Sequence, residues 1–140
     1  MPEVTGQTEN AYIIAAALGV RVAVPVSSLA EVIRAPDEDG DSMLYRGRTL
    51  ALCDVSSGSG GSARRVLVPR EPGAAGLRVS GVLGVREIGP AEIKQVSATP
   101  LRGAVPRGVT GVAMTGGEVV YVVDPAALSA GAARTGDALR

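Results

Sequence analysis

The chain has 140 residues, no net charge, 46% apolar residues and 2% aromatics, with three tyrosines and neither Phe nor Trp. Its core must therefore be aliphatic, and the neutral balance gives no electrostatic pull toward nucleic acid or anionic lipid. A near absence of stacking rings also argues against a single-strand nucleic-acid reader. A single cysteine, Cys53, excludes an intramolecular disulfide.

In chain order, residues 1–10 are polar, without a basic n-region or apolar run, and read as a loose tail with no secretory leader. The longest apolar stretch, Ala11 to Val20, is too short to span a bilayer, so a cytoplasmic location is expected. Short Val- and Ile-rich runs bounded by Gly and Pro predict strands at Tyr12–Ala17, Val20–Val26, Thr49–Asp54, Arg65–Pro69, Leu77–Val85, Val109–Met114 and Val119–Val123. Ser27 to Val32 predicts one Ser-capped helical turn. Pro90–Ile93 and Pro125–Leu128 each place proline at a helix start. Ser56 to Ser62, SSGSGGS, predicts a flexible linker, and residues 131–140 a second loose end. Many short strands and few short helices predict a mostly β fold, a small barrel or sandwich.

The two sides of that linker share sequence blocks in the same order. Gly19-Val20-Arg21-Val22 matches Gly76-Leu77-Arg78-Val79, and Gly47 through Asp54 matches Gly117 through Asp124. The interval from Ile33 to Gly47 is about half that from Ile88 to Gly117, a shortfall of about one strand and its turn. The prediction is a duplicated domain over residues 11–130, with halves at roughly 11–56 and 63–130 and an abbreviated first half.

Catalysis finds little support. No histidine is present, which removes the commonest general base, metal ligand and nucleophile partner. The Gly/Ser loop lacks the lysine of a phosphate loop. The acidic run Asp37 to Asp41 is followed by arginines rather than a bidentate Glu, and reads as a solvated loop rather than a calcium site. Asp54 and Asp124 end matched strands and are expected to cap the turns that follow. Cys53 reads as a buried structural thiol. No enzyme activity, cofactor or metal is expected.

The ordered series of motifs resembles the CheW-like domain of bacterial chemosensory arrays. The carriers are Tyr12-Ile13-Ile14 through Val26, then Ser28 to Ile33, Tyr45-Arg46-Gly47-Arg48 with Leu50 and Asp54, Gly76 to Val79, and Gly111-Val112-Ala113 with Val122-Val123-Asp124. The resemblance implies two SH3-like β-barrel subdomains packed on a hydrophobic seam, the first one abbreviated. It implies an adaptor that binds the helical tip of a methyl-accepting chemoreceptor and couples it to a CheA-type histidine kinase. By the same resemblance, Arg46 shapes the receptor groove and pairs with Glu31, and Val24, Val26, Leu29, Val79 and Val82 supply apolar walls. The chain departs from the family pattern at Asp41, Leu44, Ser80, Ala51 and Tyr121. The shortened stretch Pro36 to Arg46 removes edge-strand surface, so weak or absent kinase binding is expected. The alternatives are full receptor-to-kinase coupling, or a stand-alone small-barrel peptide or ligand binder.

Overall fold

The computed structural model describes residues 10–17, 19–36, 40–56, 64–95 and 108–128. The expected tails, the linker stretch 57–63 and most of the acidic loop lie outside them. Eleven strands form among the described residues: β1 Ala11–Ala17, β2 Val20–Pro25, β3 Leu29–Arg34, β4 Ser42–Tyr45, β5 Arg48–Asp54, β6 Arg65–Pro69, β7 Gly76–Val79, β8 Gly81–Glu87, β9 Ile93–Gln95, β10 Val109–Thr115 and β11 Glu118–Val123. They build two curled, barrel-like sheets. One has six strands in the order β8-β1-β2-β11-β10-β9, the other five in the order β3-β6-β7-β5-β4.

Those orders show a duplication whose halves are exchanged. Replacing β3, β6, β7, β5 and β4 by β8, β1, β2, β11 and β10 turns the second order into the first, leaving β9 over. Each barrel therefore takes strands from both halves of the chain. The division at about residue 60 does not separate the barrels, because β6 and β7 close the sheet that β3, β4 and β5 begin. A parallel pair sits in each barrel, β11 with β2 and β5 with β7, and joins one half to the other. Among the described residues, β9 has no counterpart in the stretch Pro36 to Arg46, where the abbreviation was expected.

Strand registers fix the correspondence residue by residue. Ile13 pairs with Val24 and Val85, and Leu67 pairs with Leu77 and Val32. Val24 therefore corresponds to Leu77, and Val85 to Val32. The first sequence block joins equivalent strands but stands four residues out of register, since it set Val20 rather than Val24 against Leu77. The second block is in register: Tyr45 pairs with Arg48 and Thr115 with Glu118, across two-residue turns.

Two other expectations change, and the two proline-led turns form as expected. Ser27 to Val32 is a 3-10 turn at Val26–Ser28 followed by β3, and Ser28 Oγ donates to Pro25 O at 2.7 Å instead of capping a helix. Val32 and Ile33 are β-branched and have a ladder partner in β6, so pairing outcompetes a helical turn. The run Leu77–Val85 divides into β7 and β8, which enter different sheets. The prolines at 90 and 125 open short turns, 3-10 at Pro90–Glu92 and α at 125–128.

Apolar packing is layered. The seam between the barrels buries Ile13, Ala15, Val22, Val24, Leu29, Leu67, Leu77, Val79, Val123 and Leu128, with Tyr121 and Cys53 against them. The six-stranded barrel holds its own cluster around Ile14, Ile88, Val120 and Val122. Among the described residues, the five-stranded barrel's own cluster buries Ala35, Val66 and Val68. Full burial of one Leu or Val stabilises by roughly 1.5–3 kcal/mol, so the seam dominates. Gly108 lets the last turn close on it: a Cβ there would lie 2.5 Å from the Leu128 backbone.

Candidate functional site

The sequence singled out Glu31 and Arg46, and the structure brings them together. Arg46 occupies the first turn position between β4 and β5, with a positive φ of 52°. Its counterpart in the other barrel is Gly116, with Gly117 answering Gly47. A two-residue hairpin turn with both φ values positive favours Gly or Asn at that position. A residue with a Cβ costs roughly 1–2 kcal/mol there. The guanidinium offsets part of that cost through its contacts. Arg46 Nη2 donates to Glu31 Oε1 at 3.0 Å, and the guanidinium carbon stands 5.4 Å from the Tyr45 ring centroid.

Tyr45 completes the group, which the sequence reasoning missed as a site residue. Its hydroxyl donates to Glu31 Oε1 at 2.7 Å, while its ring packs on the small cluster of the five-stranded barrel. Glu31 lies opposite Val68 on β6, so its stem shares that cluster's face. The hydrogen bond from Tyr45, and then that from Arg46, hold the Glu31 carboxyl below the usual carboxylate range. The same hydrogen bond to Glu31 raises Tyr45, because the phenol must keep its proton to donate. The three side chains fix the β4–β5 turn; nothing in the arrangement activates a nucleophile.

The five expected wall residues separate. Val24, Leu29 and Val79 are 0%, 5% and 1% exposed and belong to the seam, so as folded they offer no surface to a partner. Val26 is half-buried against the same seam. Val82 is 37% exposed, on β8 of the six-stranded barrel. Beside it Leu83 and Val85 are 55% and 64% exposed. Val82 pairs with Ala15 and Val85 with Ile13, both seam residues, so β8 carries the seam's apolar face out to the sheet edge. A cleft of about 320 Å³ between Ala16, Arg65, Ser80, Gly81, Val82 and Leu83 adjoins it.

The counterparts of Val82 and Val85 on the other barrel are Leu29 and Val32, which are packed into the seam cluster together with Leu128 of the last turn. After β5, at the place that answers Leu128, the sequence runs Ser56 to Ser62 with no large apolar side chain. Among the described residues, Leu128 of the last turn covers Leu29 and Val32, while Val82 and Val85 stay exposed.

Both strand-end carboxylates cap turns. Asp54 Oδ1 accepts the Ser56 N–H at 3.0 Å, and Asp124 Oδ1 accepts the Ala126 N–H at 3.1 Å. Asp54 does more, through Arg78. That arginine is 2% exposed, yet sits between Leu77 and Val79 on β7. Its Nη1 donates to Asp54 Oδ2 at 3.2 Å and its Nη2 to Gly40 O at 3.0 Å, while Nε finds no acceptor among the described residues. Burial pushes the Asp54 carboxyl up, but the hydrogen bonds from Ser56 and Arg78 outweigh it and leave it below the usual value. An arginine inside an apolar strand was the available sequence signal for this residue. Cys53 is half-buried, and burial followed by the Asp54 charge pushes its thiol up, which keeps it protonated and inert.

Among the described residues, no helix is long and apolar enough to cross a membrane. No curated protein matches the chain. Its fold is similar to the crystal structure of the scaffolding protein TtCheW from Thermoanaerobacter tengcongensis, with a TM-score of 0.67 at 16% identity, covering 83% of this chain and 89% of that one. The family model of the CheW-like domain matches residues 4–132. With most of its length matched and two barrel-like subdomains packed on a seam, the chain belongs to the CheW-like domain family, whose members serve as chemosensory scaffolds and adaptors.

Proposed function

We propose that this protein is a cytoplasmic chemosensory adaptor rather than an enzyme, and that it binds the helical cytoplasmic tip of a methyl-accepting chemoreceptor-like protein. The observation that carries the reading is the apolar edge at Val82, Leu83 and Val85, which continues the seam while its counterparts on the other barrel are covered. A cluster of exposed aliphatic side chains beside a cleft fits the apolar face of a helix. The molecule's own last turn, with Leu128, packs by that kind of contact. Glu31 on β3 and Arg46 in the β4–β5 turn, held by Tyr45, would supply the polar share. Val24, Leu29 and Val79 then act from beneath, by holding the seam.

The test is calorimetric titration of the full chain with the cognate receptor's cytoplasmic domain. Wild type binds. Val85→Asp leaves the fold intact, since the side chain is exposed, and weakens binding about tenfold or more by placing an unpaired charge in an apolar contact. Absence of binding by wild type removes the reading.

Kinase contact is proposed to be weak or absent. Among the described residues, the five-stranded barrel has no counterpart of β9, so the edge available for barrel-to-barrel pairing is reduced. Tight binding of the regulatory domain of a CheA-type kinase in the same calorimeter would show this part wrong.

A further inference from the structure

The exchanged duplication marks a second site. Leu77 and Val24 correspond through their pairing with Leu67 and Ile13, so the next residues, Arg78 and Pro25, correspond as well. Arg78 lies opposite Val66, inside the five-stranded barrel, with Asp54 at the end of the neighbouring strand. Pro25 lies opposite Tyr12, with Asp124 at the end of the matching strand. Where one barrel holds its own guanidinium, the other has a cleft of about 390 Å³ beside Pro25, lined among others by Tyr12, Ser27, Thr110, Val122 and Asp124. That volume falls in the range of small-ligand sites.

We propose that this cleft binds the guanidinium of an arginine side chain presented by a partner polypeptide, at the position Arg78 fills internally in the other barrel. Asp124 is the only charged side chain among the described residues that line the cleft. It uses Oδ1 for the Ala126 N–H, as Asp54 does for Ser56. In Asp54 the second oxygen takes Arg78; Asp124 makes no ion pair among the described residues. The Tyr12 ring offers a face for a planar cation, the contact that Arg46 and Tyr45 already make elsewhere on this chain. Thr110 Oγ1 donates to Val122 O at 3.3 Å, which leaves its lone pairs to accept from a guanidinium N–H. A flat, forked donor set facing a carboxylate and a ring selects arginine over the compact ammonium of lysine.

The experiment is amide-resolved NMR titration of the full chain with N-acetyl-arginine amide, against the lysine analogue and the neutral, isosteric citrulline analogue. Saturable shifts at Tyr12, Thr110 and Asp124 to Ala126 are expected with arginine, with citrulline binding about tenfold weaker, as for the loss of a charge-assisted hydrogen bond. Asp124→Asn keeps an acceptor for the Ala126 N–H, so the turn persists, and it weakens arginine about fivefold or more. Asp41→Asn, a carboxylate outside the cleft, leaves binding unchanged. Pro25→Arg carries the other barrel's solution across and blocks the probe. No saturable shift in wild type, citrulline binding equal to arginine, or undiminished binding in both Asp124→Asn and Pro25→Arg would overturn the proposal.

Discussion

The six-stranded and five-stranded barrels share a strand order, yet each is finished differently. Among the described residues, the larger barrel has β9 and an apolar interior cluster with twice as many buried residues as the smaller one's. The smaller barrel substitutes a buried Arg78, tied to Asp54 and to Gly40 in the shortened connection. Among the described residues, one long side chain with two hydrogen bonds ties Gly40, ahead of β4, to the end of β5. The exposed features follow the opposite distribution. Among the described residues, the larger barrel leaves β8 exposed and keeps the cleft at Pro25, while the smaller barrel covers its β3 and fills the matching position. Stability resides in the shared seam, and the differences between the barrels are left for recognition.

Substitutions can break or sharpen this contrast. The largest effect belongs to the seam. Leu77→Ala removes a fully buried side chain that both barrels use, and should cost about 3 kcal/mol in chemical denaturation. Unfolding should remain one transition, because neither barrel is completed by one half of the chain. Two separate transitions would show the barrels to be independent.

Arg78 comes next. Arg78→Ala should cost about 2–3 kcal/mol, less than for a fully buried ion pair because Asp54 is 44% exposed and can return to water. Arg78→Met fills the volume and should recover roughly half of the loss. By contrast Arg21, which pairs with Glu118 on the larger barrel with both side chains about half exposed, should cost under about 0.5 kcal/mol as Arg21→Ala. Equal losses at Arg78 and Arg21 would remove the distinction between a structural and a solvated arginine.

Turn strain gives a smaller and opposite effect. Arg46→Gly copies Gly116 of the other barrel, relieves the positive φ by about 1 kcal/mol, and gives up the contacts with Glu31. A net change near zero in stability, together with weaker receptor binding, is expected. Tyrosine titration followed by ultraviolet absorbance should show one of the three phenols ionising late in wild type, and shifting back toward its ordinary range in Glu31→Gln.

The pH dependence is the most local probe. Asp54 is held below its ordinary value in the folded chain, so its contribution is complete above about pH 4 and is lost as pH falls through the lower folded value. Arg78→Met removes one of the causes and should flatten that acid limb. An unchanged limb would mean that Ser56 alone holds the carboxylate.

Composition and punctuation determined the aliphatic core, the mostly β class, the duplication and the shortfall before Arg46. The Glu31–Arg46 pair and the Asp54 and Asp124 turns were legible too, because each rests on a local pattern or on motif order. Three things were not. The strand β3 read as a helical turn, since its ladder partner β6 lies far along the chain. The first repeat block was misregistered by four residues, since Gly-Val runs match each other at several offsets and only pairing to β1 and β6 selects one. The separation of buried Val24, Leu29 and Val79 from exposed Val82 was the third, since the alternation that marks a half-buried strand fails where both faces are covered. Only the tertiary structure exchanges the halves between barrels. That exchange sets Arg78 against Pro25, and Leu29 against Val82, because burial and register depend on which distant strand arrives alongside.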